Sequence, residues 1–428
     1  MIQMMPRKGK KSHRRLCAFL LTAWLVTATS AFAQNLTTLY SFGAVPGDGV
    51  DPQAGVAFDP SGNLYGTAAV GGIGGANGIV YELSPPAQPG NPWTESIPSR
   101  FHGSPDGKVP ECRLIVTSTG RLFGTTLQGG ANNMGAAIEL LPPPAPGGRW
   151  KEQVIYSFGG VSKDGLNPNQ GLLQANHNLF GVTSAGGANN RGTVFQLTPG
   201  PDPKGPWLET TLYSFAAGGD AAFPSSELVI DKNGNLYGTT TLGGTNNMGA
   251  VYEVSPPTSP GAPWTEAVIF SFNGTDGTLP SGRLLLDASG NLFGTTDGGG
   301  AGAEGTVFQL TPPGKVGDPW TESVLYSFSG GVDGSNPAAG VVMDKKGRLF
   351  GTAQHGGTGN PKVGGVVFEL DPPIVPGGPW TETVLHSFSG ADGFLPTSLL
   401  ALRPDGIYGT TAQGGLFGTG TVFVLKLR

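Results

Sequence analysis

One phrase returns seven times along this 428-residue chain: an aliphatic residue, an aromatic, Gly, then Thr or Val, then Thr or Ala. Its glycines are Gly66, Gly124, Gly181, Gly238, Gly294, Gly351 and Gly409, separated by 58, 57, 57, 56, 57 and 58 residues. So regular a period means that one supersecondary unit was copied, and the period sets the architecture before any other feature.

The unit reads as four short strands. In the fifth copy, Arg283–Asp287 is a short apolar run (strand A), and Ala288-Ser-Gly290 is a turn. Asn291–Thr296 is strand B, Gly305–Leu310 strand C, and Thr321–Phe328, after Trp320, strand D. Four sequence-adjacent strands form an antiparallel meander, and no segment shows helical periodicity. The chain holds 73 Gly and 37 Pro, about a quarter of its residues, and they recur in register as turns between strands. Seven such units predict an all-β, seven-bladed β-propeller over residues 34–428. Its ends predict the closure. Leu36–Phe42 is a lone strand D, while the last copy stops after strand C at Thr421–Leu425, so pairing the two removes two exposed edges.

Residues 1–33 stand outside the fold. Six Lys and Arg residues precede an apolar run from about Leu16 to Val26, and Ala31-Phe-Ala33 gives an A-x-A site before Gln34. That is the pattern of a cleaved secretory signal, so the protein is read as secreted, extracellular or periplasmic, with no membrane span after cleavage. Without the leader the chain carries 19 basic and 30 acidic residues, a net charge of −11, which argues against nucleic acid and anionic membranes as partners. Only Cys112 remains after cleavage, so no internal disulfide forms, and a buried free thiol is expected.

The phrases Asn291-Leu-Phe-Gly-Thr-Thr296, Gly305-Thr-Val-Phe308, and Trp320 through Tyr326-Ser-Phe328 with Asp333-Gly334 resemble the GloVer tandem repeat of secreted bacterial proteins with varied C-terminal anchors. The resemblance spans essentially the whole mature chain. It implies export and a propeller, and it supplies no activity and no catalytic residue. The chain ends at Lys426-Leu-Arg428 without the hydrophobic tail of anchored members.

Candidate chemistry is sorted by loop. The D–A loops carry Asp-Gly ahead of Pro, as in Asp106-Gly107 with Pro110 and Asp276-Gly277 with Pro280. One carboxylate per loop suits an Asx turn better than Ca²⁺, which takes six to eight oxygens, so no metal or other cofactor is assigned. The paired asparagines of the B–C loops (Asn132-Asn133, Asn189-Asn190, Asn246-Asn247) read as left-handed turn residues rather than sugar ligands. His177 reads as a turn residue and His386 as a packing variant of the strand-D Tyr. The six mature tryptophans, each opening strand D, read as scaffold covering the outer edge of a blade.

A ligand site belongs where the copies differ. Near the channel the variable residues include Glu111, Arg113, Glu227 and Arg283, and in the B–C loops Gln128, His355 and Gln413. These seven are the candidate ligand contacts, and replacing Arg113 and Arg283 by Ala is expected to spare the fold. No Ser-His-Asp order, His cluster or H-E-x-x-H appears. The reading favours a monomeric, non-catalytic propeller binding a glycan or protein on its D–A/B–C face. A structural or adhesive surface protein, and a carbohydrate-active enzyme with its site at the channel mouth, stand as alternatives.

Overall fold

The computed structural model describes residues 36–427, except 73–76, 89, 146, 203–204, 217–218, 316, 359–363 and 376. The leader expected at 1–33 lies outside the described residues. The described chain is all-β and forms seven antiparallel blades. Blade 5 is typical: strands A to D are Leu285–Leu286, Leu292–Thr296, Thr306–Thr311 and Thr321–Ser327, each paired with its sequence neighbour. Strand A is shorter than its apolar run suggests, because Arg283 instead bridges to Gly340 of the next blade. The short D–A and B–C ribbons pair with each other, as in Gly107–Lys108 with Gln128–Gly129, so those two loops share one face.

The ring closes as the ends predict. Leu36–Ser41 pairs antiparallel with Thr421–Leu425 and completes blade 7, with Leu36 opposite Leu425. The core lies between blades as much as within them. Phe328 of blade 5 stacks edge-on against Phe368 of blade 6, ring centres 5.1 Å apart, and Phe42 meets Tyr81 across the closure at 4.9 Å. The repeated Gly has a packing cause. A Cβ on Gly294 would sit 2.5 Å from Phe308 Cζ, so the aromatic of strand C lies flat over the bare backbone of strand B. The Thr that follows Gly links blades: Thr67 Oγ1 donates to the Cys112 carbonyl at 3.0 Å, Thr125 to Gln170 at 2.8 Å, and Thr410 to Ala54 at 3.1 Å.

Several sequence readings find their mechanism here. The Asp of each D–A loop caps its own turn: Asp48 accepts from the Gly43 and Ala44 amides, and Asp333 from Ser329 N. His177 sits at φ 65°, a left-handed turn residue. Asn133, Asn190 and Asn247 are left-handed too, while their partners Asn132, Asn189 and Asn246 donate to the carbonyls of Phe158, Phe215 and Phe272. The tryptophans are half-buried scaffold that packs on strand B of the preceding blade: Trp150 on Tyr65, Trp207 on Phe123, Trp320 on Tyr237. Cys112 is a buried free thiol. Its Sγ receives Thr125 N at 3.1 Å, as the hydroxyls of Ser226 and Ser398 receive Thr239 N and Thr410 N. Burial pushes the thiol's pKa up, so it acts as a serine substitute and not as a nucleophile.

Candidate ligand site at the channel mouth

In every D–A loop the residue before Pro adopts a left-handed conformation: Asp51, Val109, Asn167, Phe223, Leu279, Asn336 and Leu395, at φ 52–62°. For Val, Phe and Leu this conformation costs on the order of 1–3 kcal/mol each, so the surrounding fold must over-determine it. The reversal turns the chain onto the innermost strand. The residues just past the prolines then ring the mouth: Gln53, Glu111, Asn169, Ser225, Ser281, Ala338 and Thr397 all line one depression of about 310 Å³.

Two positions further in stand Arg113, Glu227 and Arg283, and the structure brings them together across the channel. Arg113 is bidentate on Glu227, Nη2 to Oε1 at 2.6 Å and Nε to Oε2 at 3.2 Å. Arg283 Nε reaches Oε1 of the same carboxylate at 3.3 Å, without hydrogen-bond geometry. Glycines make room for them, since a Cβ on Gly171 would lie 2.9 Å from Glu227 Oε2, and one on Gly55 3.4 Å from Arg113 Cδ. Glu227 is 7% exposed, while Arg113 and Arg283 keep 30% and 27% of their side-chain surface open. One carboxylate between two guanidinium groups leaves the cluster with a net positive charge.

This corrects the expectation for the double alanine variant. Removing both arginines strands a buried carboxylate, and breaking a buried pair from one side destabilises. Arg113 and Arg283 therefore support the fold as well as line the mouth.

The rim hydroxyls are engaged. Ser225 Oγ donates to the Pro280 carbonyl at 3.0 Å, Ser281 Oγ bonds Asp297 at 2.9 Å, and Thr397 Oγ1 donates to the Gln53 carbonyl at 3.2 Å. Gln53 Nε2 donates to Asp51 at 2.8 Å. Asn169 Oδ1, by contrast, is buried without a donor. Burial, and then the nearby Asp51, pushes the Glu111 carboxyl above its usual range, and burial does the same to Asp51.

Of the seven sequence candidates, Glu111, Arg113, Glu227 and Arg283 share the depression. Gln128, His355 and Gln413 lie apart from it, each paired with its own D–A loop: Gln128 opposite Lys108, His355 opposite Ser335, Gln413 opposite Phe394. It is Gln354, not His355, that lines the depression. A larger depression, about 1470 Å³, lies elsewhere, at the junction of blades 1 and 2 beside Ser99, Trp150 and Glu152. Its signal was Ile97-Pro98-Ser99, where the other copies carry Val or Thr, then Leu or Ile, then an aromatic or His on strand D. Among the described residues no group of three or more His, Cys, Asp or Glu side chains is arranged to hold a metal ion, and no helix is long and apolar enough to cross a membrane.

The sequence pattern of the Gloeobacter/Verrucomicrobia repeat matches residues 94–260 and 202–423. No curated protein matches the chain. Among solved structures, the chain is similar to PorZ, an essential bacterial surface component of the type-IX secretion system of Porphyromonas gingivalis, at 16% identity and TM-score 0.52, covering 89% of this chain and 47% of PorZ. The chain thus spans about half the length of that protein. It is also similar to an ulvan lyase of polysaccharide lyase family PL25, at 12% identity and TM-score 0.54, covering 92% of this chain and 96% of the lyase. A third similarity is to an ancestral GH74 enzyme, at 12% identity and TM-score 0.56, covering 92% and 51%. At these identities the likeness establishes the propeller fold.

Proposed function

The chain belongs to the Gloeobacter/Verrucomicrobia repeat family, and we propose that it is an exported binding propeller whose ligand, a glycan, sits in the channel mouth on the D–A/B–C face. One observation carries this reading. The mouth is the place where a repetitive molecule becomes asymmetric, with Glu111 and Arg113 on blade 2, Asn169 on blade 3, Glu227 on blade 4 and Arg283 on blade 5. An asymmetric ligand needs contacts that differ from blade to blade, set in a concave site with a few convergent polar groups. Export is supported by the secretory-signal pattern read in the sequence at 1–33, and a fold neighbour described as a bacterial surface component is consistent with it.

A glycan array probed with the purified chain tests the reading. The clean control is a triple variant, Arg113→Met, Glu227→Leu and Arg283→Met, which removes all three charges and strands none. Binding by the parent, lost in this variant at an unchanged melting temperature, is the expected result. No binding by the parent favours a structural role, and binding that survives the variant moves the site off the mouth. For export, N-terminal sequencing of the secreted protein should begin at Gln34.

A further inference from the structure

Two buried polar atoms at the mouth lack partners, and they ask for opposite things. Arg283 engages Glu227 only through Nε, and that contact lacks hydrogen-bond geometry. Among the described residues, neither of its terminal nitrogens has a protein acceptor. Arg113 differs, because Nε and Nη2 are both satisfied by Glu227. Arg283 is thus a guanidinium held in place by one carboxylate, with its outer fork free for another. Asn169 Oδ1 sits in the same depression as a buried acceptor without a donor. Leaving the Asn169 acceptor unpaired costs free energy that a ligand bringing a donor recovers, and the outer fork of Arg283, on a side chain 27% exposed, offers that ligand a charged pair of donors.

We infer that the mouth takes an anionic sugar, its acid group on the outer fork of Arg283 and a hydroxyl donating to Asn169. This rests on the reading of the mouth as the ligand site and names the class of ligand. A planar carboxylate matches the guanidinium fork with two parallel bonds, which a neutral hydroxyl does not. The depression, about 310 Å³, is at the small end for ligand sites, which suits one sugar unit rather than a long stretch of polymer. The net charge of the mature chain, −11, disfavours a polyanion lying across the whole face. A single acidic residue at a chain end meets the outer fork of Arg283 without that repulsion; among the described residues Glu111 is the one carboxylate of the depression besides Glu227. A carboxylate and a sulfate share the recognition chemistry, and the test separates them.

The experiment is calorimetric titration of the intact mature protein with three probes: a neutral oligosaccharide ending in one uronic acid, its methyl ester, and the same oligosaccharide ending in one sulfated sugar. Binding of the acid, weakened about tenfold or more in the methyl ester and in Arg283→Gln, is expected. Arg283→Gln keeps the Arg113–Glu227 pair, so its melting temperature should stay near that of the parent, and Arg283→Lys should recover affinity only in part. Preference for the sulfated probe, equally sensitive to Arg283→Gln, assigns the acid group as sulfate and upholds the inference. If the ester binds as well as the acid, and Asn169→Ala abolishes both, the mouth is a site for neutral sugars and the inference fails alone. If no probe binds, or if binding survives both Arg283→Gln and Asn169→Ala, the mouth reading fails with it.

Discussion

Six of the seven blade junctions are built alike, and the seventh is not. At the six, the Glu two residues after Trp on strand D of one blade faces the D–A loop Asp of the blade before it: Glu95 with Asp48, Glu152 with Asp106, Glu209 with Asp164, Glu266 with Asp220, Glu322 with Asp276 and Glu382 with Asp333. Burial foremost, and then the neighbouring Asp, pushes these glutamates up, to about 8, 9, 7, 8, 7 and 7 in that order. In five of them Oε1 is buried with no donor, which a proton shared with the Asp relieves. At the junction of blades 6 and 7, strand D is the N-terminal strand, and Leu36 stands where Glu would be. There His386 replaces the Tyr and places Nε2 2.7 Å from Asp392. Bonds from His386 and Ser389 outweigh burial and hold Asp392 down at about 2. The lesson is that one interface geometry carries opposite proton preferences. A missing carboxylate and an imidazole turn a proton-binding junction into one that favours the ionised acid.

The most damaging way to break the comparison is to remove the strand that makes the seventh junction different. Deleting residues 36–42 opens two edges and takes Phe42 from the core between blades 7 and 1. The melting temperature should fall by roughly 10 °C or more. An unchanged melting curve would mean that the closure contributes nothing.

Next comes pH. A raised Glu binds its proton more tightly in the folded chain than in the unfolded one. Its contribution is complete below the ordinary value of 4.5 and is lost as pH rises through the folded values of about 7 to 9. Thermal melts across pH 5 to 9 should show stability falling throughout, and Glu-to-Gln changes at Glu95, Glu152 and Glu266 should flatten the slope. Asp392 has the opposite sign: its contribution is present above 3.8 and disappears as pH falls through about 2.

A smaller effect isolates the seventh junction. Asp392→Asn weakens the acceptor for Ser389 N, Ser389 Oγ and His386, and should cost about 1–2 kcal/mol near neutral pH in chemical denaturation. The equivalent Asp106→Asn, beside a carboxyl raised to about 9, should cost less, because it removes a like-charge neighbour as well. Equal losses would dissolve the distinction. The smallest effect comes from conversion: Leu36→Glu gives the seventh junction its missing carboxyl and should steepen the alkaline loss of stability slightly, read as a change of slope and not of the neutral-pH melting temperature.

The contrast also marks what the sequence could show. Period, blade count, closure, the left-handed turn residues and the ring of mouth positions were legible because each is a local pattern or a repeat register. The pairing of Arg113 with Glu227 was not, since the two residues belong to blades 2 and 4 and meet only across a channel. The junction glutamates look in sequence like ordinary solvent-side strand residues. Only the neighbouring blade buries them. His386 does stack on Phe388 as the Tyr residues stack on theirs, at 4.9 Å, yet its bond to Asp392 exceeds a packing role. The wide groove at blades 1 and 2 was announced by Pro98, but a single broken copy does not state what opens beside it.

The closing strand sets an order of events. Leu36 and Leu425 are neighbours in the ring yet stand at opposite ends of the described chain. The first described strand therefore has no partner until the last described strand is present. Each intermediate blade can stack on its predecessor as it emerges, because its contacts are mostly local, whereas the final pairing must bring distant ends together. Until then, strand C of the last blade carries a bare edge able to recruit another chain. For this molecule the hazardous interval is the delay between completing the last blade and capturing Leu36–Ser41, and folding yield should depend more on that step than on any single blade.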